Sequence, residues 1–286
     1  MTIAEAIQKA AETLAAHNVP DAGLDAEFLL RHALGKDRAW LLVHMQDRLD
    51  TEVQRSFEQI IERRKLREPL QYIIGTQEFW GLLFRVTPDV LIPRPETEFV
   101  VEAALTVVKE HDMPLIVDLC TGSGCIAISL AKELPKARIF ATDLSERALA
   151  VAQENARLNA VADRIRFLEG DLFVPMEELD LLGRIDCIVT NPPYVPSGDL
   201  ATLQPEVRDF EPAMALFAGP QGTEIAERII HRAPDYLRSG GSLIMEMGIG
   251  QTAALRKTIE DTHKFGAIEV VKDLAGIERV ITAKRI

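Results

Sequence analysis

The chain has 286 residues, 47% of them hydrophobic and 27% charged, with a formal net charge of −12. That length suits one large domain, or a large and a small one, with a sizeable buried core. The acidic balance gives no bulk basic surface for gripping phosphates, and no apolar run approaches the ~20 residues that span a bilayer.

Residues 1–68 read as a small helical bundle. Ile3, Ile7, Ala10, Ala11 and Leu14 recur at helical spacing. The first stretch carries acids and lacks a charged segment followed by an apolar one, so it is no signal peptide and the chain reads as cytoplasmic. A second helix is expected over Asp25–Leu34, with Phe28, Leu29, Ala33 and Leu34 apolar, and a third over Thr51–Arg67, with Val53, Phe57, Ile60, Ile61 and Leu66. The only dense basic run, Arg63-Arg64-Lys65-Leu66-Arg67, fits a solvated helix end, cations near the C-terminus, or a partner-binding patch. Residues 69–93 carry aromatic and β-branched residues between Gly75, Gly81 and Pro88, a hairpin-like connector. Arg94-Pro95-Glu96-Thr97-Glu98 opens another helix, with proline at its start and acids in its first turn.

From residue 94 to 286 the chain is expected to form one domain in which strands alternate with helices. Strands are expected at Leu115–Leu119, Arg138–Thr142, Ile165–Leu168, Ile185–Thr190 and Ser242–Met247. Helices are expected at Gly124–Leu134, Glu146–Asn159, Glu224–Leu237 and Thr252–Thr262. The last two strands, near Ile268–Lys272 and Arg279–Lys284, are too close for a crossover helix and should be antiparallel. The pattern is that of an α/β fold, a doubly wound and mostly parallel sheet with an antiparallel last strand. Cys120, Cys125 and Cys187 are too few for a disulfide framework and lack histidines at metal spacing, so they read as small core residues and no metal site is expected.

The first strand of that domain runs into Asp118-Leu119-Cys120-Thr121-Gly122-Ser123-Gly124-Cys125. Gly122 and Gly124 permit a tight turn and close approach of a ligand. Asp143, at the end of the next strand, has the spacing of a carboxylate that receives both hydroxyls of a ribose. The loop alone also fits a relaxed dinucleotide fingerprint, Gly122-x-Gly124-x-x-Ala127, and a nicotinamide-dependent oxidoreductase. Two further acids tilt the choice. Asp118 can meet an ammonium group, and Asp171, followed by Leu172, can accept from an adenine amine. An adenosine with an ammonium at its far end is S-adenosylmethionine. A pyrophosphate would avoid acids at that place.

The fourth strand stops on Asn191-Pro192-Pro193-Tyr194. Two prolines remove two donors and fix two φ angles. In an open α/β sheet this edge faces the ligand crevice. Asn191 Oδ1 and the Pro192 carbonyl can accept the two N–H bonds of a planar nitrogen, whose delocalised lone pair is otherwise a poor nucleophile. The prolines keep these acceptors rigid, and Tyr194 can cover a planar group.

Asn-Pro-Pro-Tyr behind this glycine loop resembles the class I, Rossmann-like methyltransferases that modify planar nitrogens. With "LIPRPETE" (91–98), "DLCTGSGCIAI" (118–128), "TNPPYVP" (190–196) and "EVRDFEPAMALFAG" (206–219), the whole chain is similar to the HemK family of peptide-chain release factor glutamine methyltransferases. The resemblance implies methyl transfer to N5 of the glutamine in the Gly-Gly-Gln loop of class 1 release factors. It places cofactor contacts on Thr121, Gly122, Ser123, Gly124, Cys125, Asp143, Asp171, Leu172 and Asn191. Substrate contacts fall on Asn191, Pro192, Pro193 and Tyr194, with Asn191, Pro192 and Tyr194 catalytic. Two positions depart from the family: Ala218-Gly219-Pro220-Gln221-Gly222 stands where Gly-Gly-x-Asp-Gly is common, and Leu172 stands where an aromatic residue can pack on adenine. The helices of residues 1–68 are expected to dock the protein substrate, or else only to cover the sheet. Pro196–Gly222 is long for a βα connection and is expected to act as a mobile lid. Methylation of an exocyclic amine of a nucleic acid, with Tyr194 stacked on the base, is the main alternative. A non-catalytic adaptor for a translation factor is another.

Overall fold

The computed structural model describes residues 1–286 and contains two compact units. One is Met1–Thr76 with Gln204–Phe210, and the other is Gln77–Leu203 with Glu211–Ile286.

The first unit is helical. Helix α1 (Ile3–Ala16) starts on a reciprocal cap: Glu5 N donates to Thr2 Oγ1 and Thr2 N donates to Glu5 Oε2. It buries Ile3, Ala6, Ala10 and Leu14 with α2 (Ala22–Leu34) and α4 (Thr51–Lys65). Two short helices, α3 (Arg38–Val43) and α5 (Leu70–Ile74), complete the run before residue 76 and were not expected, being only six and five residues long. Helix α9 (Pro205–Phe210) belongs to this unit although it lies far along the chain.

The basic run at the end of α4 is only partly the solvated helix end expected for it: Arg63 is exposed, but Arg64 and Arg67 are claimed by acids within the unit. Arg64 is buried, 5% exposed. Its Nε donates to Asp25 Oδ2 at 2.7 Å and its Nη2 to Glu206 Oε1 at 3.0 Å. Arg67 adds a two-pronged pair to the same Glu206 carboxylate. Burial pushes the Asp25 carboxyl up despite Arg64. Burial pushes Glu206 up too, but Arg67 and Arg64 outweigh it and hold this carboxyl below its ordinary range.

The second unit opens with a hairpin of β1 (Thr76–Phe79) and β2 (Leu82–Arg85). Trp80 and Gly81 join them with φ of 53° and 66°, the two positive values a tight primed turn needs. After a single 3₁₀ turn at Pro95–Thr97 comes α6 (Glu98–Val108). Strands and helices then alternate: β3 (Leu115–Leu119), α7 (Cys125–Glu133), β4 (Arg138–Asp143), α8 (Glu146–Leu158), β5 (Ile165–Glu169) and β6 (Ile185–Thr190). The short pieces β7 (Val195–Pro196), α10 (Ala213–Leu216) and β8 (Phe217–Gly219) follow. The unit ends with α11 (Glu224–Tyr236), β9 (Leu237–Glu246), α12 (Thr252–Asp261), β10 (Phe265–Lys272) and β11 (Glu278–Arg285).

Seven strands form the central sheet in the order β10-β11-β9-β6-β3-β4-β5. Neighbours from β9 to β5 are parallel, and β11 runs antiparallel to both β9 and β10. The central strands are apolar on both faces because helices cover both. Ile116, Cys187 and Val189 lie in one core with α6 and α7, and Val117, Leu119 and Ile188 in the other with α11 and α12. This is the α/β architecture the alternation predicts. It brings the C-terminal ends of β3, β4, β5 and β6 to one edge.

Candidate active site

At that edge a cavity of about 340 Å³ opens. Its lining includes Thr121, Gly122, Ser123 and Cys125 after β3, Asp143 after β4, Asp171 and Leu172 after β5, and Asn191 and Pro193 after β6. The structure therefore brings together most of the expected residues. Asp118, Gly124, Pro192 and Tyr194 do not line it.

The glycine loop is held from behind. Thr121 N donates to Thr142 O at 3.0 Å, and Gly122 N donates to Asp143 Oδ2 at 2.8 Å. The other Asp143 oxygen accepts from Ser145 N at 2.9 Å, so this carboxylate organises its own surroundings while remaining on the wall. Burial pushes its pKa up, and the backbone donors partly reverse the shift. Gly124 has φ +82°, and a Cβ there would lie 2.9 Å from Ile128 Cδ1 and 3.1 Å from Ala152 Cβ. Its absence from the cavity follows: it lets α7 start against α8 and does not face a ligand. Asn155 on α8 braces the loop, donating from Nδ2 to Ser123 O and Arg85 O and accepting from Arg85 N.

Asp118 is fully buried. Oδ2 accepts from Thr121 Oγ1 at 2.6 Å and Ala127 N at 3.2 Å. Oδ1 is buried without any partner in the chain. Burial pushes this carboxyl up to about 7. A buried carboxylate oxygen with no donor is the feature a ligand ammonium would satisfy. Leu172, with Leu144 and Phe217, supplies apolar wall. Asp171 is half exposed and ion-paired to Arg228. Its carboxylate is thus shared with a cation that local sequence does not announce. Cys125 and Cys187 are buried, as core residues should be, whereas Cys120 is only partly so and lies on the cavity wall.

Asn191 sits at the end of a polar chain. Its Nδ2 donates to Thr97 Oγ1 at 3.0 Å, and Thr97 Oγ1 donates to Glu246 Oε2 at 2.6 Å. Glu246 is 2% exposed at the end of β9, and burial pushes it up to about 7. The Tyr194 phenol faces the same carboxylate; burial and that charge push the phenol's pKa up, and Tyr194 does not line the cavity as a stacking ring would. Gln251 ties the corner from below, donating to Tyr194 O at 2.9 Å and Gly222 O at 3.1 Å and accepting from Gly248 N at 2.8 Å. Gly222 explains part of the atypical Ala218–Gly222 loop. Its φ is +78°, and a Cβ would sit 2.5 Å from Tyr194 O.

The long connection after Tyr194 is divided between the two units. Gln204–Phe210 belongs to the helical unit, where Glu206 neutralises two arginines. Pro212, Met214, Ala215 and Phe217 form cavity wall. They follow Glu211, whose buried carboxylate holds Arg94 Nη2 with both oxygens at 2.7 Å. Thr97, Glu246, Asn155, Gln251 and the Arg94–Glu211 pair escape a reading of local sequence. The available signals are the Arg94–Glu98 stretch, which by local pattern reads only as the opening of a helix, and Glu211, which lies in the 206–219 motif with no role assigned to it there.

Two family models match the chain: "PrmC N-terminal domain" over residues 5–75 and "Methyltransferase small domain" over residues 99–204. A release factor glutamine methyltransferase of Geobacter sulfurreducens is 44% identical over 268 residues, covering 94% of this chain and 91% of its own length. One from Cereibacter sphaeroides is 41% identical over 284 residues, covering 99% of each. Among solved structures, a T. thermophilus 16S rRNA N2 methyltransferase in complex with AdoMet and guanosine superposes with a TM-score of 0.54. It is 20% identical and covers 74% of this chain and 50% of its own, a likeness of fold. No helix is long and apolar enough to cross a membrane. Identity at this level over nearly the whole length, joined to a glycine loop and Asn191 of an Asn-Pro-Pro-Tyr corner on one cavity, means that the chain belongs to the family of release factor glutamine methyltransferases.

Proposed function

We propose that this protein transfers a methyl group from S-adenosylmethionine to the N5 side-chain amide nitrogen of the glutamine in the Gly-Gly-Gln motif of class 1 peptide-chain release factors. The observation that carries the reading is Asn191. Its amide lies on the cavity wall with Nδ2 engaged by Thr97, which leaves Oδ1 for a donor from outside the chain.

The residues fit the cofactor. The unpartnered Asp118 Oδ1 suits its ammonium, Asp143 its ribose hydroxyls, and Leu172 and Leu144 the adenine face, with Asp171 at the adenine edge. When bound, S-adenosylmethionine supplies a methyl group on a positively charged sulfur that departs as a neutral thioether. The chain's part is orientation. Asn191 Oδ1 accepts one N–H of the acceptor carboxamide, and the Pro192 carbonyl, although Pro192 itself does not line the cavity, is proposed to accept the other. Both acceptors favour the pyramidal nitrogen whose lone pair attacks and stabilise positive charge as it develops there, and one N–H proton leaves to water once the methyl is transferred. Apolar residues of Pro212–Phe217 exclude water. The helical unit is proposed as the docking surface for the release factor.

The test is a mass spectrum of a release factor after incubation with enzyme and cofactor. One added methyl on the Gly-Gly-Gln glutamine supports the reading. An unmodified factor, with enzyme that binds S-adenosylhomocysteine, overturns it. Preferential labelling of RNA or DNA would transfer the same corner to an exocyclic amine, against which the charge of −12 argues.

A further inference from the structure

We propose that Thr97 and Glu246 are positioning residues that fix which end of the Asn191 amide faces the acceptor. The inference rests on the reading above, in that Asn191 must present an oxygen and not an NH₂ group.

A threonine hydroxyl carries one proton. Glu246 Oε2, 2.6 Å from Thr97 Oγ1, takes it. Thr97 Oγ1 is then left only with lone pairs towards Asn191, so the Asn191 atom 3.0 Å away must be a donor. Nδ2 is therefore turned to Thr97 and Oδ1 to the cavity. The reversed amide would set two oxygens without a proton against each other inside the protein, and would also offer the substrate NH₂ group two donors. Glu246 can impose this order because it cannot act as a donor when ionised. Three other groups bear on it. The Tyr194 hydroxyl and Arg279 on β11 favour its charge, and Glu96 opposes it. Burial pushes Glu246 up to about 7, so the carboxylate form dominates in an assay at about pH 8.

Three variants test this at about pH 8. Thr97→Val keeps the shape and removes the hydroxyl. Glu246→Gln keeps the shape but lets either amide atom face Thr97, so the order is no longer imposed. Thr97→Ser retains the hydroxyl. The expected result is a kcat reduced about 10- to 100-fold in T97V and E246Q. KM for the release factor and the affinity for S-adenosylhomocysteine should stay within about 3-fold, and T97S should recover kcat to within a similar factor. A structural role alone would instead lower cofactor affinity and thermal stability together. A second readout is independent of turnover. The Asn191 side-chain NH₂ resonances, assigned by their absence in N191A, should resist solvent exchange in wild type and T97S and lose that protection in T97V. Unchanged kcat in both T97V and E246Q, or equal exchange of the Asn191 NH₂ in T97V and wild type, overturns the inference. Should wild-type enzyme fail to methylate release factors, the proposed function falls, and the NMR comparison still decides this point.

Discussion

Replacing Asp118 with asparagine should make the cofactor-free protein more stable and a poorer cofactor binder. The carboxyl is fully buried, and its pKa moves from 3.8 to about 7 because burial outweighs the donors Thr121 and Ala127. A group that binds its proton more tightly in the folded chain contributes full stability below its unfolded pKa. That contribution is lost as pH rises through the folded value. Between about pH 4 and 7 the loss amounts to about 4 kcal/mol at ~1.4 kcal/mol per pH unit, an upper bound, since water can relax a buried charge. The substituted amide would never ionise, and its oxygen can still accept from Thr121. At about pH 8 the thermal midpoint of D118N should therefore exceed that of wild type by at most ~8–16 °C, at ~2–4 °C per kcal/mol. Below about pH 4 the two should nearly coincide. Because the comparison is a difference, Asp25, Glu211 and Glu246, displaced in the same direction, cancel, whereas Asp143, whose charge pushes Asp118 up, gains from the substitution as well. Titration calorimetry with S-adenosylhomocysteine should show affinity weakened about 10- to 100-fold, the scale of a charge-assisted hydrogen bond. A D118N protein no more stable than wild type at about pH 8 refutes the burial argument. Unchanged calorimetric affinity refutes Asp118 as the ammonium partner.

Asn191→Ala should lower kcat by about 100-fold while S-adenosylhomocysteine affinity changes little, measured by steady-state transfer and calorimetry. Gly222→Ala places a methyl 2.5 Å from Tyr194 O at φ +78°, and should lower both thermal midpoint and turnover. An alanine variant as active as wild type would show that the corner tolerates displacement. In the helical unit, Arg64→Met leaves the buried Asp25 without its partner and should cost about 3 kcal/mol, read by denaturation near neutral pH. Since Glu206 is held below its ordinary value by Arg67 and Arg64, its share of stability is present above about pH 4.5 and lost as pH falls further. The gap between wild type and R64M should close in that range.

What could be read from the sequence and what could not divide by distance along the chain. The glycine loop, Asp143 and the Asn191–Tyr194 corner were legible because each lies at a strand end, and strand ends follow from apolar runs. The alternation of strands and helices likewise gave the sheet and its antiparallel last strand. Thr97 and Glu246 are 149 residues apart, Thr97 and Asn191 94, and Gln251 and Tyr194 57. No periodicity links such pairs, so the support behind Asn191 was invisible. Arg64 misled for the same reason. Its neighbours are basic, and its counter-ions lie 39 and 142 residues away. Tyr194 was assigned to the acceptor because it adjoins Asn191, but Glu246 claims its hydroxyl.

The excursion of Gln204–Phe210 into the helical unit alters what cutting the chain can achieve. The chain passes between the two units at 76–77, 203–204 and 210–211 instead of through a single hinge peptide. Deleting residues 1–76 would not yield a self-sufficient enzyme half. It would strip Glu206 of both arginines and leave an orphaned carboxylate in the same loop that leads from Tyr194 to the cavity wall. The loop that leads from Tyr194 to the cavity wall is thus covalently continuous with the helical unit at two peptide bonds, 203–204 and 210–211, and no single cut frees one unit from the other.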